Sequence, residues 1–495
     1  MAEEIIISVS SLETRVALVE SGLLQEIFIE RSHTRVTVGN IYKGKVVRVL
    51  PGLQSAFVDI GQPRAAFMHI TDLVDSQFKF IEASADKKIH YPPIQQVIRD
   101  GQEILVQVTK EPINTKGARA TTSISVASRF LVYTPKNSHI GISQRIEDAA
   151  ARERLETIMA EIHQPEDGDG FIVRTASERA TEEEIRLDAE LLRKRWRLID
   201  EQGRSAPPAS TVYEDLPIHL RAMRDIINRE TASILVDNKK VYQAIERFLT
   251  DFIPEKLACL QLVSLKVPIF DAHNLEDQIA AALNRNVPLK SGGYLVIDQT
   301  EAMTTVDVNT GAFVGRRDLE DTIYRTNLEA AAAIPRQLKL RNIGGIVILD
   351  FIDMIDEEHK RQVIRTLEKG QQTDRVKWNI SEISDLGLVE MTRKRTHESL
   401  LKMMCAPCPA CDGKGFLKTA ETVCLEIYRE IQRKALKFSG SECVIMAAQP
   451  VIDRLLDEDA ICIADLSSAL DCSIRLQVET SYSQEQFDVV VPLRF

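Results

Sequence analysis

The sequence predicts a multi-domain protein that combines α/β and α+β parts. Its length of 495 residues is enough for about three to five domains, and a content of 44% hydrophobic and 27% charged residues is typical of a globular protein. Residues 36–125 read as strand after strand with Gly and Pro between them, which favours a small five-stranded barrel. Residues 292–353 read as strand, helix, strand, which favours a parallel α/β unit.

Composition and charge exclude several classes of protein. No apolar run approaches the roughly 20 residues of a membrane helix, and the acidic start MAEEIIISVS is unlike a secretory signal. Eight cysteines without a dense framework fit a reducing compartment, so we expect a cytoplasmic protein. A net charge of −11 argues against indiscriminate coating of nucleic acid, but it leaves room for a local basic groove.

The remaining chain changes character several times. Residues 4–30 alternate as three short strands. Residues 145–200 mix helix and strand, and residues 203–217, GRSAPPASTVYEDLP, are rich in Pro, Ser and Ala and predict a linker. Helices are predicted for most of 218–290, and a smaller domain of helices and strands for 419–495.

The predicted barrel carries a signal for single-stranded nucleic acid. Phe57 and Phe67 lie on neighbouring strands of a chain with only 5% aromatic residues. Barrels of the OB type bind single strands through stacked aromatic rings and a basic groove. The alternative is that both rings belong to the core. The basic residues that accompany them are Lys43, Lys45, Arg48 and Lys116.

A second, weaker signal is the segment GFIVRTAS at 170–177. It reads as a strand that ends in Arg174 and Thr175. A guanidinium and a hydroxyl side by side are suited to hold a phosphate group.

The strand–helix–strand unit carries the strongest chemical pattern. In TTVDVNTGAFVG, strict alternation places Asp307 and Asn309 on one face and Val306 and Val308 on the other. After a helical stretch, IGGIVILDFIDM is a strand of the buried type that reaches Asp350. A crossover of this length lays the two strands side by side, so the two carboxylates should converge and suit Mg²⁺ or Mn²⁺. The alternative is that such aspartates only cap turns.

Basic side chains surround the same unit. Beside a divalent-metal site they would form a surface for a phosphodiester chain, although each alone is more often a solvated surface residue. Asp353 is a weaker third carboxylate at this place. The basic residues are Arg316, Arg317, Arg336, Lys339, Arg341, Arg393, Lys394 and Arg395.

The pattern CPxCxGxG places Cys408 and Cys411 two residues apart, followed by Gly413 and Gly415. This spacing is half of a tetrahedral zinc site, because structural zinc takes four ligands. Cys405 makes a third nearby thiol, and the other five cysteines are scattered singly. The missing ligands could come from a second copy of the chain, or from Cys405 and one distant cysteine of the same chain.

The order of these motifs resembles the ribonuclease E/ribonuclease G family of bacterial endoribonucleases. The resemblance extends over essentially the whole chain. It is carried by the strand-rich start, the barrel, FIVRTA, GGYLVIDQTEAMTTVDVNTG, GGIVILDFIDM, EMTRKR and the single CPxCxGxG knuckle.

That resemblance implies a domain layout. A ribonuclease-H-like domain would be interrupted by an OB-fold barrel of the ribosomal S-one type and by a sensor domain for RNA 5′ ends, and a deoxyribonuclease-I-like catalytic domain would follow. In chain order the expected parts are the ribonuclease-H-like domain at 1–39 and 219–283, the barrel at 40–125, the sensor and linker at 126–218, the catalytic domain at 284–404, the zinc knuckle at 405–418 and a small dimerisation domain at 419–495.

The resemblance also implies roles for the residues singled out above. Asp307 and Asp350 would hold catalytic Mg²⁺, and Asn309 would hydrogen-bond near the scissile phosphate. Single-stranded RNA would be gripped by three barrel residues and a 5′-monophosphate by two sensor residues. These are Phe57, Phe67 and Lys116 for RNA, and Arg174 and Thr175 for the 5′-monophosphate.

The expected activity is metal-dependent, single-strand-specific endoribonuclease cleavage that leaves a 5′-phosphate and a 3′-hydroxyl. It would be stimulated by a 5′-monophosphate and act in ribosomal RNA 5′-end maturation, transfer RNA processing and messenger RNA decay. Zinc would be structural and shared between Cys408 and Cys411 of two subunits, giving a homodimer or higher oligomer. The alternatives are a non-catalytic RNA-binding protein and a zinc-dependent chaperone, whose family carries several knuckles and an HPD tripeptide that this chain lacks.

Overall fold

A computed structural model gives the fold. It describes residues 3–32, 38–73, 91–112, 117–163, 168–311, 319–372, 374–384, 386–395, 397–438 and 442–490. The chain divides into two compact units, Met1–Met403 and Met404–Phe495. None of the helices in these ranges is long and apolar enough to cross a membrane.

The described strands and helices are numbered in chain order. The strands are β1 (Glu3–Val9), β2 (Glu13–Glu20), β3 (Leu23–Arg31), β4 (Ile41–Leu50), β5 (Ser55–Asp59), β6 (Ala66–His69), β7 (Glu103–Lys110), β8 (Arg119–Thr121), β9 (Val126–Ala127), β10 (Leu131–Thr134), β11 (Ile140–Ile142), β12 (Gly170–Val173), β13 (Ser210–Tyr213), β14 (Thr231–Val236), β15 (Leu260–Leu262), β16 (Asn286–Pro288), β17 (Tyr294–Gln299), β18 (Met303–Asn309), β19 (Gly345–Asp350), β20 (Trp378–Ile383), β21 (Leu388–Arg393), β22 (Glu442–Ala447), β23 (Ser473–Val478) and β24 (Phe487–Val490). The helices are α1 (Ile94–Val97), α2 (Ala149–Ile162), α3 (Glu182–Ser205), α4 (Ile218–Asp225), α5 (Lys239–Phe252), α6 (Ile269–Ala272), α7 (Leu275–Leu283), α8 (Leu319–Leu340), α9 (Glu357–Gln372), α10 (Leu400–Met404), α11 (Ala420–Phe438), α12 (Gln449–Leu456) and α13 (Ala460–Ala469).

The amino-terminal strands join a sheet with two strands from much later in the chain. Its order is β15–β14–β1–β2–β3, and β1 pairs with β14 in parallel. Ile5 and Ile7 pack in one apolar cluster with residues of α4 and α5, whereas Ile6 packs in another with residues of α6 and α7. The three short strands predicted for residues 4–30 are therefore confirmed.

The barrel is closed. Its strands follow the order β4–β5–β6–β8–β7, and β4 pairs with β7 to complete the circle. Ala56, Val58, Ala66 and Met68 fill its interior. The five-stranded barrel predicted from the sequence is confirmed.

The linker prediction for 203–217 is wrong in part. Helix α3 continues to Ser205, and Ser210–Tyr213 forms β13, which pairs antiparallel with the first residues of β4. The backbone N–H and C=O groups of this segment thus find partners in the barrel sheet, as backbone polar groups must wherever water is excluded. Composition did not reveal a pairing with residues far away in the sequence.

Between barrel and linker lies a small sheet of order β11–β12–β10–β9, against which α2 and α3 pack. Buried Asp188 of α3 accepts hydrogen bonds from the Ser128 hydroxyl and from the main-chain N–H groups of Phe130 and Leu131. Burial raises the pKa of Asp188, against these hydrogen bonds. One polar side chain thus fixes the start of β10 on α3.

The sheet that carries the two aspartates has the order β16–β17–β18–β19–β21–β20. Helices α8 and α9 contribute Ile334, Leu338, Val363 and Leu367 to the apolar cluster that this sheet forms. Because α8 connects β18 to β19, the two strands run parallel, as the strand–helix–strand pattern predicts.

The second unit, Met404–Phe495, has its own core. Strand β22 lies between β23, to which it is parallel, and β24, to which it is antiparallel. Residues of α11 and α12 pack with β22 in one apolar cluster. This agrees with the prediction of a small domain of helices and strands.

Candidate active site

Asp307 and Asp350 occupy matching positions on adjacent parallel strands. Asp307 of β18 pairs in register with Asp350 of β19, so the two carboxylates leave the sheet side by side. Val306 and Val308 are buried while both aspartates are exposed. Strand alternation and the α8 crossover together produce this juxtaposition.

Asn309 lies next to the pair, since its Nδ2 donates a hydrogen bond of 2.8 Å to Asp307 Oδ2. Partial desolvation and the like charges of Asp307 and Asp353 raise the pKa of Asp350. Mutual repulsion of carboxylates is the electrostatic condition that a bound cation relieves. Hard oxygen donors with room for water and a phosphate oxygen are the ligands that Mg²⁺ takes in proteins.

Nowhere in the described ranges do three or more His, Cys, Asp or Glu side chains group so that they could hold a metal ion. A metal at Asp307 and Asp350 would thus keep most of its coordination sphere for water and substrate, which is usual for Mg²⁺.

A buried side chain that the sequence analysis missed fixes the chain just after Asp350. Asn327 of α8, which is fully buried, donates from Nδ2 to the Ile352 carbonyl at 2.7 Å and accepts from the Ile352 N–H at 3.1 Å. This two-point clamp orients the segment between Asp350 and Asp353. Helical periodicity was the available signal, because Asn327 precedes buried Ala330 and Ala331 by three and four residues.

The basic surface predicted around this unit is wrong for two of its members, Arg393 and Arg341. Arg393 is buried, with its Nε 2.7 Å from Asp374. Arg341 is buried and donates to Gln337 and to the Asn284 carbonyl. These guanidiniums satisfy buried acceptors and cannot line an RNA surface.

Two other residues of that basic set donate to main-chain carbonyl groups. Arg336 donates to the Leu24 carbonyl, and Arg395, although exposed, donates to the Gly344 carbonyl. Burial lowers the pKa of Arg336, and burial together with the charge of Arg336 lowers that of Arg341 to about 10. Arg316 and Arg317 lie outside the described residues, as does Lys116 of the barrel.

The two barrel phenylalanines lie outside the barrel core. Phe57 of β5 and Phe67 of β6 pair in register, with ring centroids 5.9 Å apart and an interplanar angle of 67°. Both are half-buried, whereas the residues before and after each of them are buried. Arg48 of β4 lies opposite Phe57 of β5 and is exposed, as is Lys45. Lys43 forms an ion pair with Glu103.

Arg174 and Thr175 follow β12, where the chain turns. Thr175 is exposed, and its hydroxyl lies 3.4 Å from the Ser143 hydroxyl. Arg174 donates to the Ser128 carbonyl at 2.6 Å and to Asp225 at 2.5 Å. A phosphate at Arg174 would therefore share the guanidinium with a resident carboxylate.

The CPxCxGxG segment forms the tight turn that its glycines predict. Gly413 and Gly415 have φ values of 78° and 83°, in the left-handed region that glycine adopts most readily. The N–H of Gly415 donates to Cys411 Sγ at 3.3 Å, and hydrogen bonds from the main chain at Cys411 and Ala410 lower the pKa of Cys408. Main-chain N–H groups aimed at sulfur favour thiolates, the form that binds zinc. Cys405 is exposed.

Three family models match the chain. The ribonuclease E/G family matches residues 125–396, the S1 RNA binding domain matches residues 35–122, and the RNase E/G thioredoxin-like domain matches residues 407–491. The S1 match falls on the closed barrel and agrees with an OB-type fold. The thioredoxin-like match covers β22–β24 and their helices, a likeness that the sequence analysis did not predict.

Full-length relatives are similar as well. The proteins named ribonuclease G of Salmonella typhimurium (strain SL1344) and Escherichia coli (strain K12) are each 47% identical to this chain over 491 residues, covering 99% of the chain and 100% of the relative. The protein named ribonuclease E of Escherichia coli (strain K12) is 37% identical over 449 residues, covering 90% of this chain and 42% of that protein.

Proposed function

This chain belongs to the ribonuclease E/G family, and we propose that it is an endoribonuclease of RNA processing that hydrolyses phosphodiester bonds in single-stranded RNA. The observation that carries the proposal is the side-by-side placement of Asp307 and Asp350 on parallel strands, with Asn309 bonded to the first. A purely RNA-binding protein needs the barrel but gives no reason for this carboxylate pair.

Asp307 and Asp350 would hold Mg²⁺ and, by their register, keep it at one edge of the sheet. Bound there, Mg²⁺ would supply Lewis-acid polarisation of the phosphodiester and a lowered pKa for the attacking water. Asn309 accounts for one lone pair of Asp307 and so fixes that carboxylate. Its amide would also donate a hydrogen bond to a phosphate oxygen placed beside Asp307. Cleavage would leave a 5′-phosphate and a 3′-hydroxyl.

The RNA would approach across the barrel. The half-buried rings of Phe57 and Phe67 are available for base stacking, and Lys45 and Arg48 are exposed near them. Arg174 and Thr175 would bind a 5′-monophosphate and so stimulate cleavage of RNA that carries one. The shared guanidinium of Arg174 suits such a sensor, because a doubly charged phosphate competes better than a single carboxylate.

The finer assignments of the fold belong to the same proposal. We assign the sheet β15–β14–β1–β2–β3 to a ribonuclease-H-like domain and the sheet with Asp307 and Asp350 to a deoxyribonuclease-I-like domain. Cys408 and Cys411 would share structural zinc with the same residues of a second subunit and so produce a homodimer or higher oligomer. The protein would act in the cytoplasm on ribosomal, transfer and messenger RNA.

The substitution Asp307→Asn tests the proposal. It removes a metal ligand but no cation that binds phosphate, so cleavage of labelled single-stranded RNA in saturating Mg²⁺ should be lost while RNA affinity stays close to that of the unmodified protein. The matched control is Asp298→Asn on neighbouring β17. The Asp298 carboxylate forms an ion pair with Arg285, and Asp298 lies in register with Thr305, not with Asp307. Substantial turnover by Asp307→Asn would refute the assignment, and an unmodified protein that binds RNA without cutting it would favour the non-catalytic alternative.

A further inference from the structure

A groove of about 730 Å³ begins where β19 ends, directly after Asp350. Its floor is formed by residues 351–354, one wall by α9, and the other by the turn between β20 and β21. Leu388, which follows that turn, pairs with Asp350 itself. The groove therefore opens at the same edge of the sheet as the carboxylate pair, on the side that α9 covers.

The α9 wall carries three basic side chains, Lys360, Arg361 and Arg365. The side chains of Arg361 and Arg365 are 63% and 69% exposed, so both can move to meet a ligand. They share a single carboxylate, Glu358, at 3.1 and 3.7 Å, which leaves the pair with a net positive charge. Lys360 is paired with Glu357 at 2.7 Å. Asp353 and Glu382 also line the groove, so its positive charge is confined to the α9 wall at Arg361 and Arg365.

The opposite wall, the turn between β20 and β21, packs directly on the floor of the groove. At Gly387, where φ is 79°, an added Cβ would lie 2.9 Å from Asp353 Oδ1, so the turn packs on the floor with no side chain between them. Two large apolar side chains stand at the rim, Ile355 on the floor side and Leu386 on the turn, 85% and 80% exposed. Apolar side chains beside the exposed guanidinium groups of Arg361 and Arg365 suit a ligand chain that presents bases and phosphates alternately.

We propose that this groove, which we name the α9 groove, holds the stretch of single-stranded RNA that adjoins the scissile phosphate, with Arg361 and Arg365 on its backbone phosphates. The inference rests on the proposed function, because the occupant is the same RNA whose phosphodiester lies at Asp307 and Asp350. The volume is within the range of about 300–1,000 Å³ of ligand pockets, enough for a nucleotide. The position at the edge of the sheet where the carboxylates lie, together with the two exposed arginines of the α9 wall, favours RNA over a protein segment.

The test is RNA affinity of the full chain carrying Arg361→Gln and Arg365→Gln, measured by fluorescence anisotropy in buffer without divalent cations. Removing two phosphate contacts should weaken binding about tenfold at low salt and reduce the slope of log affinity against log salt by about 1.4, or 0.7 for each contact on a single strand. The double substitution to Lys should keep the slope. The control Lys369→Gln, in the last turn of α9 and outside the groove, should leave both quantities unchanged.

Truncated RNAs locate the contact. When nucleotides are removed one at a time from either side of the cleavage site, the affinity difference between the unmodified protein and the double Gln variant should vanish once the nucleotide in the α9 groove is gone. Equal affinity and equal salt slope for the two proteins, with melting temperatures also equal, would overturn the proposal and leave the rim as a surface for a protein partner. Because affinity is read without cleavage, this result is separate from a failure of the unmodified protein to cut RNA.

Discussion

Substituting Asn327 should change the orientation of the Asp350 carboxylate without removing any group that is proposed to bind RNA. Asn327→Leu keeps the volume of the side chain but removes the donor and the acceptor that clamp the Ile352 main chain. Asp350, two residues earlier, then loses the contact that fixes the segment after it. Asn327 contacts neither Asp307 and Asp350 nor the arginines proposed to bind RNA phosphates, so it is a positioning residue.

The structure gives the expected size of two effects. Each polar group left buried without a partner costs about 1–3 kcal/mol. Because Ile352 is only half-buried, water can replace part of the lost hydrogen bonding. We therefore expect the free energy of unfolding to fall by about 2 kcal/mol. A misplacement near 1 Å at a reacting group lowers turnover about a hundredfold, so kcat should fall by that order while KM stays within a factor of about two.

The assay is steady-state cleavage of a labelled single-stranded RNA, run at a temperature where denaturation curves show every variant folded. Gln337→Leu is the matched control. Gln337 is another buried polar residue of α8, but it accepts from Arg341 and does not contact the Asp350 segment. It should lose stability without losing turnover. If Asn327→Leu loses stability and keeps kcat, the clamp is only structural and the reasoning fails.

Three further predictions follow from the same structure. Asp374→Ala should lower the free energy of unfolding by about 3–5 kcal/mol, because it leaves the buried Arg393 charge without its carboxylate and Trp378 Nε1–H without an acceptor. Denaturation followed by tryptophan fluorescence measures this change, and a loss below about 1 kcal/mol would contradict the buried pair. Arg174→Ala should abolish the faster cleavage of 5′-monophosphorylated over 5′-hydroxyl RNA, whereas equal slowing on both substrates would make the residue structural. Cys408→Ser should convert a dimer with half a zinc per chain into zinc-free monomers, and one tightly held zinc per chain in a monomer would exclude the shared site.

The carboxylate pair could be predicted from the sequence because short-range rules determine it. Alternation along TTVDVN fixes which side chains share a face, and a crossover the length of α8 makes β18 and β19 parallel. The same rules place Phe57 and Phe67 on adjacent strands with small or aliphatic neighbours that fill the barrel. In each case the pattern lies within one or two consecutive elements.

The environment of each charged residue was harder to predict, because a sequence does not show which charges are buried. Arg393 was interpreted as part of a basic surface, yet it occupies the same strand face as buried Val389 and Met391. Period-two alternation along β21 was the signal, and the usual exposure of arginine concealed it. The pairing of β13 with β4 joins residues about 170 positions apart, and no local pattern reports such a contact.

Helix α9 is a second place where the sequence does not show the environment of charged residues. Its sequence, EEHKRQVIRTLEKGQQ, is that of an ordinary solvated helix with intrahelical ion pairs. Only the fold shows that Arg361 and Arg365 border a groove at the edge of the sheet where Asp350 lies. The structure therefore shifts the proposed phosphate contacts from Arg336, Arg341 and Arg393 to a helix that composition alone does not distinguish.

The division between exposed and buried polar groups has a consequence for how variants should behave. Asp307 and Asp350 are exposed, so their side chains are free to move. The position of their carboxylates therefore depends on buried neighbours that are fixed. Asn327 is such a neighbour, and the buried Arg393–Asp374 pair supports β21 beside β19. Changes in these supports should lower turnover or stability at nearly constant RNA affinity. Changes at Arg361 and Arg365 should lower RNA affinity at nearly constant turnover and stability, because those arginines are proposed to contact the substrate chain and lie apart from the carboxylates.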